Sequence, residues 1–127
     1  MSRIGGKDTT PEIRVRRTAH TLGLRFRLHR RDLPGTPDLV FPKRRVALFV
    51  HGCFWHRHAA CNRASTPITR REYWEDKFRT NVTRDKRATA ELEALGWRVV
   101  IVWECETKND GGLKQILRKT VLNRRLK

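Results

Sequence analysis

Two short apolar runs, DLVF (38–41) and VALFV (46–50), flank the basic turn PKRR. That pattern predicts a β-hairpin. With residues 42–45 in the turn, Phe41 pairs with Val46 and Asp38 falls opposite Phe49 or Val50. Upstream, TPEIRVRRTAHTLGL predicts a helix. Thr10 is its N-cap, Pro11 takes the first turn, Ile13, Arg17, Ala19 and Leu22 form a mixed face, and Gly23 ends it. RFRLHR alternates and reads as a strand, and RDLPGTP as a loop. Between residues 69 and 96, apolar Trp74, Phe78, Val82, Ala88, Leu92 and Leu95 recur at helical spacing and define one buried stripe. WRVVIVWE is apolar almost throughout, as expected of a central strand covered on both faces. GGLKQILRKTVLNRRLK reads as a final basic helix. The order α-β-β-β-α-β-α predicts an α/β sandwich around a mixed sheet, with residues 1–127 as one domain that includes a short N-terminal arm, 1–8.

Charge adds a partner to this scaffold. Lys and Arg number 29 against 13 Asp and Glu, a net charge of +16, which points to a polyanion and first of all to nucleic acid. An anionic membrane is the other candidate, but no basic amphipathic helix with a bulky aromatic face supports it. No apolar run approaches the length of a membrane span and no signal-type segment follows Met1, so a cytoplasmic, nucleoid-associated protein is expected. The three cysteines favour metal binding in a reducing compartment over a disulfide framework.

The candidate chemistry crowds around LFVHGCFWHRHAACNR (48–63). Asp38 and the carbonyl of Val50, brought to one strand edge, make an oxygen anchor for Mg²⁺, which keeps most of its waters; the alternative for Asp38 is a turn residue after Pro37. Cys53, His58 and Cys61 have the spacing C-x4-H-x2-C. If the last strand runs parallel beside the hairpin, Cys105 joins them in a closed Cys3His set suited to structural Zn²⁺. His56 is the alternative to His58 in that set, and three plain thiols are the alternative to the set itself. Phe54 and Trp55 either unstack bases as a wedge or cover the core. Asp85 sits within the apolar stripe of the long helix and needs a partner there, a histidine or a structural ion pair.

DLPGTPDLVFPKRRVALFVHGCFWHRH and REYWEDKFRTNVTRDKRATAELEALGWRVVIVWEC together resemble the very short patch repair (Vsr) DNA mismatch endonucleases, over roughly residues 7–107. The resemblance implies a restriction-endonuclease-like fold with a structural zinc. It implies an enzyme that nicks one strand of double-stranded DNA at T·G mismatches left by deamination of 5-methylcytosine, using Mg²⁺ to initiate very short patch repair. It casts Asp38 and the Val50 carbonyl as Mg²⁺ ligands, His51 and His56 as catalytic histidines, and Asp85 as the support of His51. Glu12 corresponds to a helix glutamate at the metal–water cluster, Cys53, His58, Cys61 and Cys105 to the zinc ligands, and Phe54 and Trp55 to the wedge. A monomer acting on mismatched DNA, with repair proteins as further partners, is expected. The rival expectations are a nicking or restriction nuclease on the same fold without mismatch preference, and a non-catalytic zinc-stabilised DNA-binding module.

Overall fold

The computed structural model describes residues 9–53 and 70–122. Helix α1 (Thr10–Thr21) begins one residue before the sequence places it, because the Thr9 side chain accepts from Glu12 N–H at 3.4 Å and is the N-cap in place of Thr10. Its buried side is Glu12, Val15 and Ala19, spaced at three and four residues, and not the Ile13–Arg17 face. Gly23 closes the helix at φ +76°.

Strand β1 (Arg27–Leu28) is much shorter than RFRLHR suggests, and both of its residues are exposed. Strands β2 (Leu39–Phe41) and β3 (Val46–His51) form the expected hairpin, with Phe41 opposite Val46 and Leu39 opposite Leu48. Between them PKR makes a short 3-10 turn that ends on Arg45 in the left-handed region. Helix α2 (Arg71–Ala94) then crosses over and delivers β4 (Arg98–Trp103) parallel to β3. Helix α3 (Asp110–Leu117) follows and continues as a π-helical turn to Leu122.

The four strands lie in the order β1-β2-β3-β4, antiparallel except for the last pair. WRVVIVWE is thus the edge strand of the described sheet. Its residues alternate between buried and half-buried, whereas β3, paired on both sides, is buried along almost its whole length. An apolar run therefore marks burial of the faces here, while the ladder position belongs to the hairpin strand.

Alternation along the strands divides the core. Leu39, Phe41, Val46, Leu48, Val100 and Val102 pack toward α1 and α3, against Val15, Ala19, Leu113 and Leu117. Val40, Ala47, Phe49, Leu33 and Trp97 pack on the other face with Leu92 of α2. The α2 stripe is narrower than its periodicity implies: Phe78, Ala88 and Leu92 are buried, Trp74 and Val82 half-buried, and Leu95 is 55% exposed where the helix runs past the sheet.

The loop before β2 is packed tightly against this second layer. Gly35 holds φ +76°, and a Cβ there would stand 2.7 Å from the Ala88 Cβ and 3.2 Å from the Phe49 ring. Gly35→Ala is expected to lower unfolding free energy by about 1–3 kcal/mol in urea denaturation, because overpacking adds to backbone strain. Gly23→Ala, also at positive φ but with nothing within 4 Å of the added carbon, should lose clearly less; equal losses would show that the contact with α2 contributes nothing.

Candidate active site at the end of strand β3

The C-terminal end of β3 is where the candidate residues converge. One rung beyond the Leu39–Leu48 pair, the ladder is continued by a side chain: the Asp38 Oδ2 accepts from Val50 N–H at 2.7 Å. The carboxylate is held by the backbone of the strand it faces, as the hairpin register requires. Asp38 is therefore more than a turn residue after Pro37, since its position is specified by β3.

On the α1 side of the sheet stands Glu12, 1% exposed. Its place in the first turn of α1 lets the positive end of the helix dipole favour its charge. A buried carboxylate also needs close partners, and Arg16 Nη2 lies 2.5 Å from its Oε2, one helical turn on. His29 Nε2 approaches the same oxygen at 2.6 Å. His29 in turn lies beside Asp38, with its N–H donating to the Asp38 carbonyl at 3.2 Å. Glu12, His29 and Asp38 bring one ligand atom each within 4.8 Å of one another, a donor set that fits a divalent cation.

On the opposite face, His51 is 6% exposed at the end of β3. Its Nδ1 lies 3.9 Å from Asp85 Oδ2 of α2. That separation is within ion-pair range and longer than a hydrogen bond. The edge of Trp103 packs on the His51 ring with centroids 5.3 Å apart, and Phe49 lies 5.8 Å away. Asp85 is only partly desolvated, with its side chain 24% exposed. Two carboxylate–imidazole pairs thus straddle the strand end, Glu12 with His29 and Asp85 with His51, and Asp38 and Val50 lie between them in the sheet.

Parallel pairing of β3 and β4 sets His51 beside Trp103, so the residues two further along, Cys53 and Cys105, leave the sheet from the same end. Cys53 is buried and Cys105 half-buried. Phe54, Trp55, His56, His58 and Cys61, which the sequence assigns to the wedge, the second catalytic histidine and the remaining zinc positions, lie outside the described residues.

Close by, exposed Arg30 and Asp32 make a two-point contact at 3.0 and 2.6 Å. This hydrogen bonding holds the Asp32 carboxyl below its ordinary range and raises the guanidinium above its own.

His29 and Arg16 are the members of this cluster that sequence reasoning passed over. His29 closes the alternating RFRLHR, where it reads as one more strand residue. Pairing that strand with DLVF would have set it opposite Asp38.

Comparison with known proteins places the chain in a family. Residues 1–63 match the family described as DNA mismatch endonuclease Vsr. The type II nicking enzyme V.XorIIP of Xanthomonas oryzae is 52% identical over 118 residues, covering 93% of this chain and 86% of that protein. The type II nicking enzyme V.NmeAIP of Neisseria meningitidis is 37% identical, with 95% and 86% covered. The DNA mismatch endonuclease Vsr of Escherichia coli is 46% identical over 105 residues, covering 83% of this chain and 67% of that protein. The chain belongs to the DNA mismatch endonuclease Vsr family and is a DNA endonuclease.

Proposed function

We propose that this endonuclease hydrolyses one phosphodiester of double-stranded DNA beside a T·G mismatch, with Mg²⁺ as its catalytic ion and Zn²⁺ as a structural one. The observation that carries the proposal is the Asp38 carboxylate bonded to Val50 N–H at 2.7 Å. In an extended strand the N–H and C=O of one residue point to the same side. The Val50 carbonyl therefore faces the side on which Asp38 lies, beyond the last rung of the hairpin. Asp38 and that carbonyl would hold the ion, with Glu12 orienting the water around it. A divalent ion held there supplies charge neutralisation at the phosphate and lowers the pKa of a bound water.

The protein's own groups supply the rest. His51, steadied by Asp85, presents its Nε2 to the scissile phosphate and exchanges the proton of the attacking or leaving oxygen. His56 would serve the complementary proton transfer. Cys53, His58, Cys61 and Cys105 would close around zinc and pin the segment after β3, leaving Phe54 and Trp55 free to enter the base stack. A mismatch is the step where unstacking is easiest. The net charge of +16 supports the remaining, salt-sensitive contacts with phosphates.

A second proposal, nicking without mismatch preference, is favoured by two of these relatives being type II nicking enzymes. Cleavage of matched and T·G duplexes of the same sequence separates the two.

Asp38→Asn keeps an acceptor for Val50 N–H and removes the charge. It is expected to lower the Mg²⁺-dependent nicking rate roughly 10³-fold or more while T·G duplex binding stays within a few-fold; near-normal nicking would sink the proposal. Trp55→Ala should weaken binding to T·G DNA by about 1–3 kcal/mol and to matched DNA much less, in a fluorescence titration. Equal losses on both would remove the wedge. Mass spectrometry of the purified protein should find about one zinc per chain, and Cys105→Ser should lose it.

A further inference from the structure

We infer that His29 is a direct ligand of the catalytic ion, through Nε2, and that it tunes the site toward nitrogen-accepting divalent metals such as Mn²⁺. The inference rests on the metal-dependent reading above and adds a donor to it.

His29 Nε2 and Glu12 Oε2 are 2.6 Å apart. The nitrogen is nevertheless buried and has no hydrogen-bond partner among the described residues. The contact has the length of a hydrogen bond without its alignment. A ring nitrogen and a carboxylate oxygen this close repel through their lone pairs unless a cation lies between them. The angle is poor for an N–H···O bond, and a cation off the line, facing both atoms, is the arrangement we assign to them. Asp38 supplies the third atom, and all three fall within 4.8 Å.

Charge balance points the same way. Glu12 already has a cationic partner in Arg16 at 2.5 Å, so His29 is not required as its counter-ion. The backbone bears a further mark: His29 holds φ +48°, a left-handed conformation uncommon outside glycine. That conformation follows directly on β1, and the imidazole meets Glu12 of α1. His29 also lines a surface depression with Phe26, Arg27, Leu28 and Arg30.

A nitrogen donor changes which ion the site prefers. Mg²⁺ favours oxygen ligands and octahedral water, whereas first-row transition ions gain from imidazole. Asp38 and the Val50 carbonyl alone would make an all-oxygen site; adding His29 makes a mixed one.

The test uses the full-length, zinc-replete protein and Mn²⁺ as the probe. Pulsed electron paramagnetic resonance of bound Mn²⁺ should show coupling to a histidine ¹⁴N, which His29→Gln removes while Asp38→Asn loses the ion itself. Calorimetry should show Mn²⁺ binding weakened about tenfold or more by His29→Gln, and Mg²⁺ binding weakened much less. His29→Asn, assayed alongside with circular dichroism as a folding control, should behave alike. Mn²⁺ bound in an Asp38-dependent way without ¹⁴N coupling in the unaltered protein, or with coupling that survives both His29 variants, overturns the role of His29 and leaves the Asp38 site standing. Absence of any Asp38-dependent Mn²⁺ or Mg²⁺ binding overturns both.

Discussion

Strand β3 is hydrogen-bonded on both sides, and the other parts of the fold take their positions from that fact. Its antiparallel partner β2 fixes where Asp38 begins, and its parallel partner β4 fixes where Cys105 emerges. A one-residue slip in either register would turn side chains to the wrong face and move these residues away from the strand end. The hydrophobic layers on the two faces resist such a slip. Leu48 is buried among α1 and α3 residues, and Phe49 among those facing α2.

What this strand end collects is acid and imidazole in two layers. Glu12 arrives from α1 and Asp85 from α2, so a carboxylate stands on each side of the sheet. The environments differ. Glu12 is buried and contacted by Arg16 and His29 through one oxygen, which gives it little freedom. Asp85 keeps partial solvent exposure and a longer approach to His51. A tightly held carboxylate suits the ion site proposed here, and a looser pair suits the proton exchange proposed for His51.

The legibility of these features follows the range of the interactions behind them. Hairpin register came directly from two apolar runs around a four-residue basic turn, because the turn length determines pairing locally. Parallel pairing of β3 with β4, which the sequence offered only as a condition for bringing Cys53 and Cys105 together, was decided by the fold. The N-cap at Thr9 was missed by one residue because Thr9 and Thr10 are chemically equivalent, and only the backbone geometry chooses between them. Leu95 was misassigned because periodicity continues past the point where the helix still has a sheet beneath it.

By itself the sequence determined the α/β order, the hairpin and the placing of Asp38 beside the end of β3, since each depends on residue type and short-range spacing; Glu12 and His51 entered as site candidates only through the family resemblance. Only the tertiary structure decided that WRVVIVWE takes an edge of the described sheet and that Glu12 faces the core. Only it set His29 against Glu12 and Asp38, through a two-residue strand that ends in a left-handed turn. Those outcomes depend on how layers pack and where one strand stops. Both are set by contacts between segments far apart in the chain, which no local pattern of residues encodes.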